Sequence, residues 1–313
     1  MRRVRAWALA IPCFALAIVG AVVPVMHGWP FLLAGLSLVA PTTARRLRRR
    51  LMRRFYRSEA VLLDETAKHG AVAGFTTRHF PVRVTSGEDL TRERTRTDLV
   101  AAHRSLLAAR RKDLDPSRYM RFVSLRQVHG DRIVVIDHPP KSAFETHADA
   151  DAVITRVPEL TLIALTADCL SIFYWVPDPS RKRRSSWVGV AHAGWRGTRD
   201  QIAVKTLRAL CERSGERPER VQAAFGPSIG CAHYEVGEEF ASIFPRSTRR
   251  SRDGKLRFDL SGENRRQLIG AGLKDEHLHD HGVCTAAEAE DFYSYRREKE
   301  NAGRMLSWIA LTG

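Results

Sequence analysis

Six apolar, β-branched runs of strand length fall between residues 121 and 191, and they restrict the chain to folds built on sheet. They are Arg121 to Leu125, Arg132 to Ile136, Ala152 to Thr155, Leu160 to Leu165, Ile172 to Val176 and Trp187 to Ala191. The first two flank His129-Gly130-Asp131 and read as a hairpin closed by that turn. Thr198 to Cys211, with apolar Ile202, Val204, Leu207 and Leu210, reads as an amphipathic helix. Leu99 to Arg111, Val236 to Phe244 and Gly262 to Leu273 read as further helices, and a mixed α/β domain is expected over 61–313. Ser180 to Ser186, with Arg181-Lys182-Arg183-Arg184, reads as an exposed charged turn between two strands.

The formal charge of +16 points first to nucleic acid, but its distribution removes that reading. Residues 1–58 contain eleven Arg and no Asp or Glu, whereas the remaining 255 residues carry 40 basic against 35 acidic side chains. No specific nucleic acid is expected as a partner. Trp7 to Val25 is an uncharged run of 19 residues, long enough to cross a bilayer as a helix. After Met26-His27-Gly28-Trp29-Pro30, a second apolar stretch runs from Phe31 to Ala40, and arginines flank both stretches. The positive-inside rule then predicts a transmembrane hairpin over 1–44, embedded through residues 7–42, and a basic juxtamembrane linker over 45–60. This places the catalytic domain on the cytoplasmic side of the cytoplasmic membrane. A cleaved signal peptide is the rival reading, and no small-x-small cleavage site follows the first run.

Cys13, Cys169, Cys211, Cys231 and Cys284 are odd in number and contain no Cys-x-x-Cys pair, which argues against a disulfide framework. Most of them read as small buried hydrophobes. Cys169 stands apart because it follows Asp168 in Thr166-Ala167-Asp168-Cys169, at the end of a strand-like run. His129, in Gln127-Val128-His129-Gly130, and His192, in Ala191-His192-Ala193-Gly194-Trp195-Arg196-Gly197, also adjoin strands. Strand ends of one scaffold can converge, and two imidazoles with a thiolate are ligand types that a catalytic zinc with one open position uses. The same residues also allow a Cys–His nucleophile, with Cys169 attacking and a histidine activating it. His277, His279 and His281 alternate and read as an exposed loop; Cys231, in Phe225-Gly226-Pro227-Ser228-Ile229-Gly230-Cys231, reads as turn chemistry.

With these motifs in place, the chain resembles the multicopper polyphenol oxidase or laccase-domain family, also described as purine nucleoside phosphorylases. Gln127 to Gly130, Ala150-Asp151-Ala152, Thr166 to Cys169, Val190 to Gly197, Gly226 to Gly230, Cys284-Thr285, Phe292 to Arg297 and Gly303-Arg304 match family motifs in order, within residues 72 to 311. The resemblance implies a three-layer αβα fold with a mixed sheet and a zinc held by His129, Cys169 and His192. It implies phosphorolysis of adenosine, inosine, guanosine or methylthioadenosine by inorganic phosphate, and hydrolytic deamination of adenosine. By residue type and motif position, Asp168 is the candidate general acid/base, and Arg78 and Arg196 are the candidate phosphate holders. Copper-dependent phenol oxidation, carried by the older family description, asks for more histidines at close spacing than these motifs supply.

The entry motif departs from the family. Gly74-Phe75-Thr76-Thr77-Arg78 fits, but His79-Phe80-Pro81-Val82 replaces its continuation, and a charged stretch from Glu88 to Asp98 follows. That segment is expected to line the nucleoside pocket, so its alteration favours a second reading, a membrane-tethered binding module whose site has decayed; a third keeps Cys169 as a nucleophile, with Asp168 orienting the base, in a Cys–His hydrolase acting on cell-wall precursors.

Overall fold

A computed structural model describes residues 59–147, 149–177 and 186–313. The expected hairpin, most of the basic linker and most of the turn at 180–186 lie outside the described residues. Among the described residues no helix is long and apolar enough to cross a membrane.

Among the described residues, two six-stranded mixed sheets form the body of the domain, beside a two-stranded one of β11 (Thr248–Arg250) and β12 (Leu256–Phe258). The first runs in the order β1 (Ala60–Leu62), β2 (Ala71–Thr76), β14 (Met305–Leu311), β7 (Leu160–Thr166), β3 (Arg121–Leu125) and β5 (Phe144–His147). The second runs β13 (Leu278–Asp280), β10 (Gln222–Phe225), β8 (Leu170–Val176), β9 (Trp187–Ala193), β6 (Ala152–Thr155) and β4 (Ile133–Ile136). Helix α2 (Glu93–Arg110) covers the first sheet through Leu99, Leu106 and Leu107, packed on Phe122, Ile163, Leu306 and Trp308. Helices α4 (Ile202–Ser214) and α6 (Leu260–Gly270) cover the second through Ile202, Leu207, Leu210 and Leu268, packed on Ile154, Ile172 and Tyr174. The opposite faces of the sheets meet each other, as the Ser307 Oγ to Ser171 Oγ hydrogen bond of 2.8 Å between β14 and β8 marks.

This corrects the expected three layers around one mixed sheet: the domain has four, helix, sheet, sheet, helix. Strands buried on both faces read as continuous apolar runs whichever sheet they join, so the split leaves no trace in periodicity. The hairpin reading of 121–136 fails for the same reason. Strand β3 lies in the first sheet and β4 in the second, and the segment between them crosses from one to the other. The expected helix over Thr198 to Cys211 is two: α3 (Trp195–Arg199) and α4, separated at Gln201, whose φ of 62° breaks the helical path. Strand β1 begins at Ala60, inside the stretch read as linker.

The crossing at 126–132 is one of three. Strands β3, β5 and β7 pair in parallel and so end at the same edge of the first sheet. Each then passes to the second sheet, into β4, β6 and β8. The three crossings carry His129, Asp151 and Cys169.

Candidate metal centre

The crossing at His129 is held from both sheets. Gln127 imitates a peptide group on β7: its Nε2 donates to Leu165 O at 2.8 Å and its Oε1 accepts from Leu165 N at 2.7 Å. Asp151 holds the other side. Its Oδ2 accepts from the backbone N–H of Gly130 at 2.7 Å and of Val128 at 3.2 Å, and its Oδ1 from that of His129 at 3.0 Å. These bonds fix His129 in a left-handed conformation, φ 60°.

Asp151 Oδ1 also lies 2.8 Å from His192 Nδ1, at the end of β9. That contact commits Nδ1 and leaves Nε2 as the ligand atom, the arrangement that carboxylates commonly impose on metal-binding histidines. The ligand atoms of His129, Cys169 and His192 lie within 4.8 Å of one another. The two imidazoles meet edge-on, with centroids 4.8 Å apart and planes at 79°. Gly194 leaves the room this requires, since a Cβ there would sit 3.0 Å from both Cys169 Sγ and His129 Cδ2. Burial alone would push the Cys169 thiol up, but the His192 charge and hydrogen bonds from both histidines draw it below the usual thiol range. Burial would lower His192, and the neighbouring Cys169 charge with the Asp151 bond raises it instead. Deprotonated sulfur between two imidazoles is a donor set that fits a divalent transition metal.

Asp168 precedes Cys169 with a φ of 92°. Its Oδ1 accepts from Thr285 Oγ1 at 2.6 Å, and its Oδ2 from Ser294 Oγ at 3.1 Å and Arg296 N at 2.6 Å. It therefore ties the Cys169 turn to the C-terminal segment 285–296.

The centre opens on a cavity of about 720 Å³, within the range of small-molecule sites. Asp168 and Arg196 line it, with Trp195, Tyr234, Tyr295, Arg296 and Arg304. So do Ser86, Gly87, Glu88 and Thr91. The segment that departs from the family pattern thus still builds a cavity wall, as a helical turn (Gly87–Thr91) capped reciprocally by Ser86 and Asp89. Arg78 does not line the cavity. Its guanidinium donates to Ala289 O, lies 3.5 Å from Glu298 Oε2 and stacks on Tyr293 at 4.9 Å.

Among the described residues, His277, His279 and His281 form no converging ligand group; His279 stacks on Trp175 at 5.8 Å. Cys231 is outside the cavity wall, and Cys284 Sγ accepts from Gly230 N at 3.2 Å. Three contributors escape a reading by ligand type. Asp151 was visible only inside the motif Ala150-Asp151-Ala152, while Arg296 and Arg304 sit in the C-terminal motifs without a local sign of where they point.

The four-layer α/β domain, with its His-Cys-His centre at the wall of a small-molecule cavity, is that of an enzyme. The chain belongs to the family described as multi-copper polyphenol oxidoreductase laccase, which matches residues 72–312. A Deinococcus radiodurans protein named purine nucleoside phosphorylase is 39% identical over 194 residues, covering 61% of this chain and 70% of that one. Adenosine deaminase RL5, from an unknown prokaryotic organism, is 33% identical over 197 residues, covering 59% and 72%. The crystal structure of YlmD from Geobacillus stearothermophilus superposes with a TM-score of 0.65 at 29% identity, covering 78% of this chain and 93% of that one.

Proposed function

We propose that the chain is a purine nucleoside phosphorylase-like enzyme that also deaminates adenosine, with both reactions at one centre. One observation carries the reading: His129, Cys169 and His192 converge at the wall of a cavity that also presents Arg196, Arg296 and Arg304. One relative named purine nucleoside phosphorylase and another named adenosine deaminase support it. We assign zinc to the centre, because two imidazoles and a thiolate at the wall of a cavity leave one position of a tetrahedral site open to water or substrate. Zinc bound there would lower the pKa of water and act as a Lewis acid.

The residues around it divide the remaining work. Asp151 orients His192 and, through the amides of 128–130, His129. Tyr295 offers an aromatic face for a purine ring. Arg196 is the phosphate holder; Arg78, committed to Ala289 and Glu298 outside the cavity, does not fill that role. Asp168 is the general acid/base: its Oδ2 accepts two bonds, from Ser294 and Arg296 N, but its Oδ1 accepts one, from Thr285, and keeps a lone pair for a proton. Residues 7–42 as a membrane tether belong to the same proposal, and recovery of the full chain in the soluble fraction after cell lysis would remove that part.

The test is a panel of adenosine, inosine, guanosine and methylthioadenosine with the purified full chain, with and without inorganic phosphate. Free base that appears only with phosphate supports the reading. Metal-free protein with undiminished, alkylation-sensitive turnover would point instead to Cys169 as a nucleophile.

A further inference from the structure

Tyr234 follows the short helical turn Cys231–His233 and forms part of the cavity wall. Its ring is held from behind by Phe240 and Phe258, with centroids 6.5 and 5.6 Å away. Its Oη has no hydrogen-bond partner among the described residues. A phenol in such a wall, backed by apolar rings, has one place left to donate, which is the cavity.

Two guanidiniums accompany it. Arg296 lies over the Tyr234 ring, 5.4 Å from the centroid. One of its N–H groups donates to Glu235 O at 2.9 Å, and its backbone N–H is held by Asp168 at 2.6 Å. The rest of its fork is uncommitted. The Arg196 guanidinium lies over Trp195 at 4.9 Å and makes no hydrogen bond or ion pair among the described residues. Trp195 in turn packs on Phe240 at 5.2 Å, so one phenylalanine backs both cation–aromatic pairs. Burial, and then the charge of Cys169, push the Tyr234 hydroxyl up, which keeps it a donor at neutral pH.

We propose that Tyr234, Arg196 and Arg296 together form the inorganic-phosphate subsite, the phenol donating to a phosphate oxygen between the two guanidiniums. The proposal rests on the phosphorolysis reading above. A dianion beside a single exposed guanidinium gains little over water, whereas two guanidiniums preordered on aromatic rings and one neutral donor hold it in one orientation. In the reaction, a phosphate oxygen bonds to the anomeric carbon while the carbon–nitrogen bond breaks, its electron pair leaving with the purine. The proton of the monohydrogen phosphate ends on the base.

The experiment is calorimetric titration of the full chain with inorganic phosphate, together with the KM for phosphate, on the wild type, Tyr234→Phe, Arg296→Gln and Arg196→Gln. Phenylalanine keeps the packing on Phe240 and Phe258 and the stack under Arg296, so Tyr234→Phe deletes the donor alone. Each variant is expected to weaken phosphate binding and raise the phosphate KM by about tenfold or more, with metal content retained. Phosphate affinity within about twofold of wild type in Tyr234→Phe and Arg296→Gln would overturn the subsite. So would a wild-type chain that deaminates adenosine but binds no phosphate, although the metal centre would stand. Phosphate binding that these variants abolish, in a chain that cleaves no nucleoside, would support the subsite and remove phosphorolysis.

Discussion

At the scale of single residues, two aspartates hold the site together. Asp151 joins the His192 ring to three amides of the His129 crossing, so Asp151→Asn disturbs two ligands at once. Metal affinity is expected to fall about 10–100-fold, measured by competition with a chromogenic chelator, with the fold retained. Asp168→Ala strands the hydroxyls of Thr285 and Ser294 and the Arg296 amide, and unfolding in urea is expected to show a loss of about 3 kcal/mol or more. An unchanged midpoint would show that these bonds are not made. Gly194→Ala presses a methyl group against Cys169 Sγ and His129 Cδ2, and metal content is expected to fall with little change in melting temperature. The three residues that converge, His129, Cys169 and His192, were legible in the sequence as candidates, since imidazole and thiol at strand ends are chemically conspicuous. Asp151 was not, because an acid opening an apolar strand does not announce which crossing it will brace.

At the scale of elements, α2 shows what burial does to a titratable group. His103 projects from this helix between Trp308 and Phe122, edge-on to both at 4.6 and 5.2 Å, and its Nε2 has no hydrogen-bond partner among the described residues. Burial lowers its pKa from 6.5 to about 3. The unfolded chain therefore binds a proton first, and the helix-to-sheet packing loses stability as pH falls from about 6.5 towards 3, by about 1.4 kcal/mol per unit. At pH 4.5 that is about 2–3 kcal/mol relative to neutral pH. His103→Leu removes this contribution, so the stability lost by the variant between pH 7 and 4.5 is expected to be smaller than in wild type by roughly that amount. Equal losses in the two proteins would contradict a neutral buried histidine. Strands β3, β4, β6, β7, β8 and β9 could be placed from their apolar runs, whereas β1, β2, β5, β13 and β14 were not read and the break at Gln201 was not foreseen inside the amphipathic pattern of Thr198 to Cys211.

At the scale of the molecule, the organising fact is that three parallel strands end at one edge and each crosses to the second sheet. His129, Asp151 and Cys169 ride on successive crossings, and His192 closes the set from β9. Such an arrangement explains how residues separated by 63 positions, His129 to His192, come within 4.8 Å. It was hidden in the sequence because membership of one sheet or two does not alter a doubly buried strand, whereas the order of the motifs along the chain survived intact. The cavity is likewise a property of the whole: residues 86–91, 125–129, 195–196, 229–234 and 295–304 each supply a part of its wall. The central claim is that the centre formed at these crossings holds a metal on which nucleoside turnover depends. Metal content and phosphate-dependent release of base should be measured together on the full chain and on Cys169→Ala. One zinc per wild-type chain, with metal and turnover both lost in the variant, is the expected result; turnover that persists in metal-free wild type or in Cys169→Ala would contradict the account.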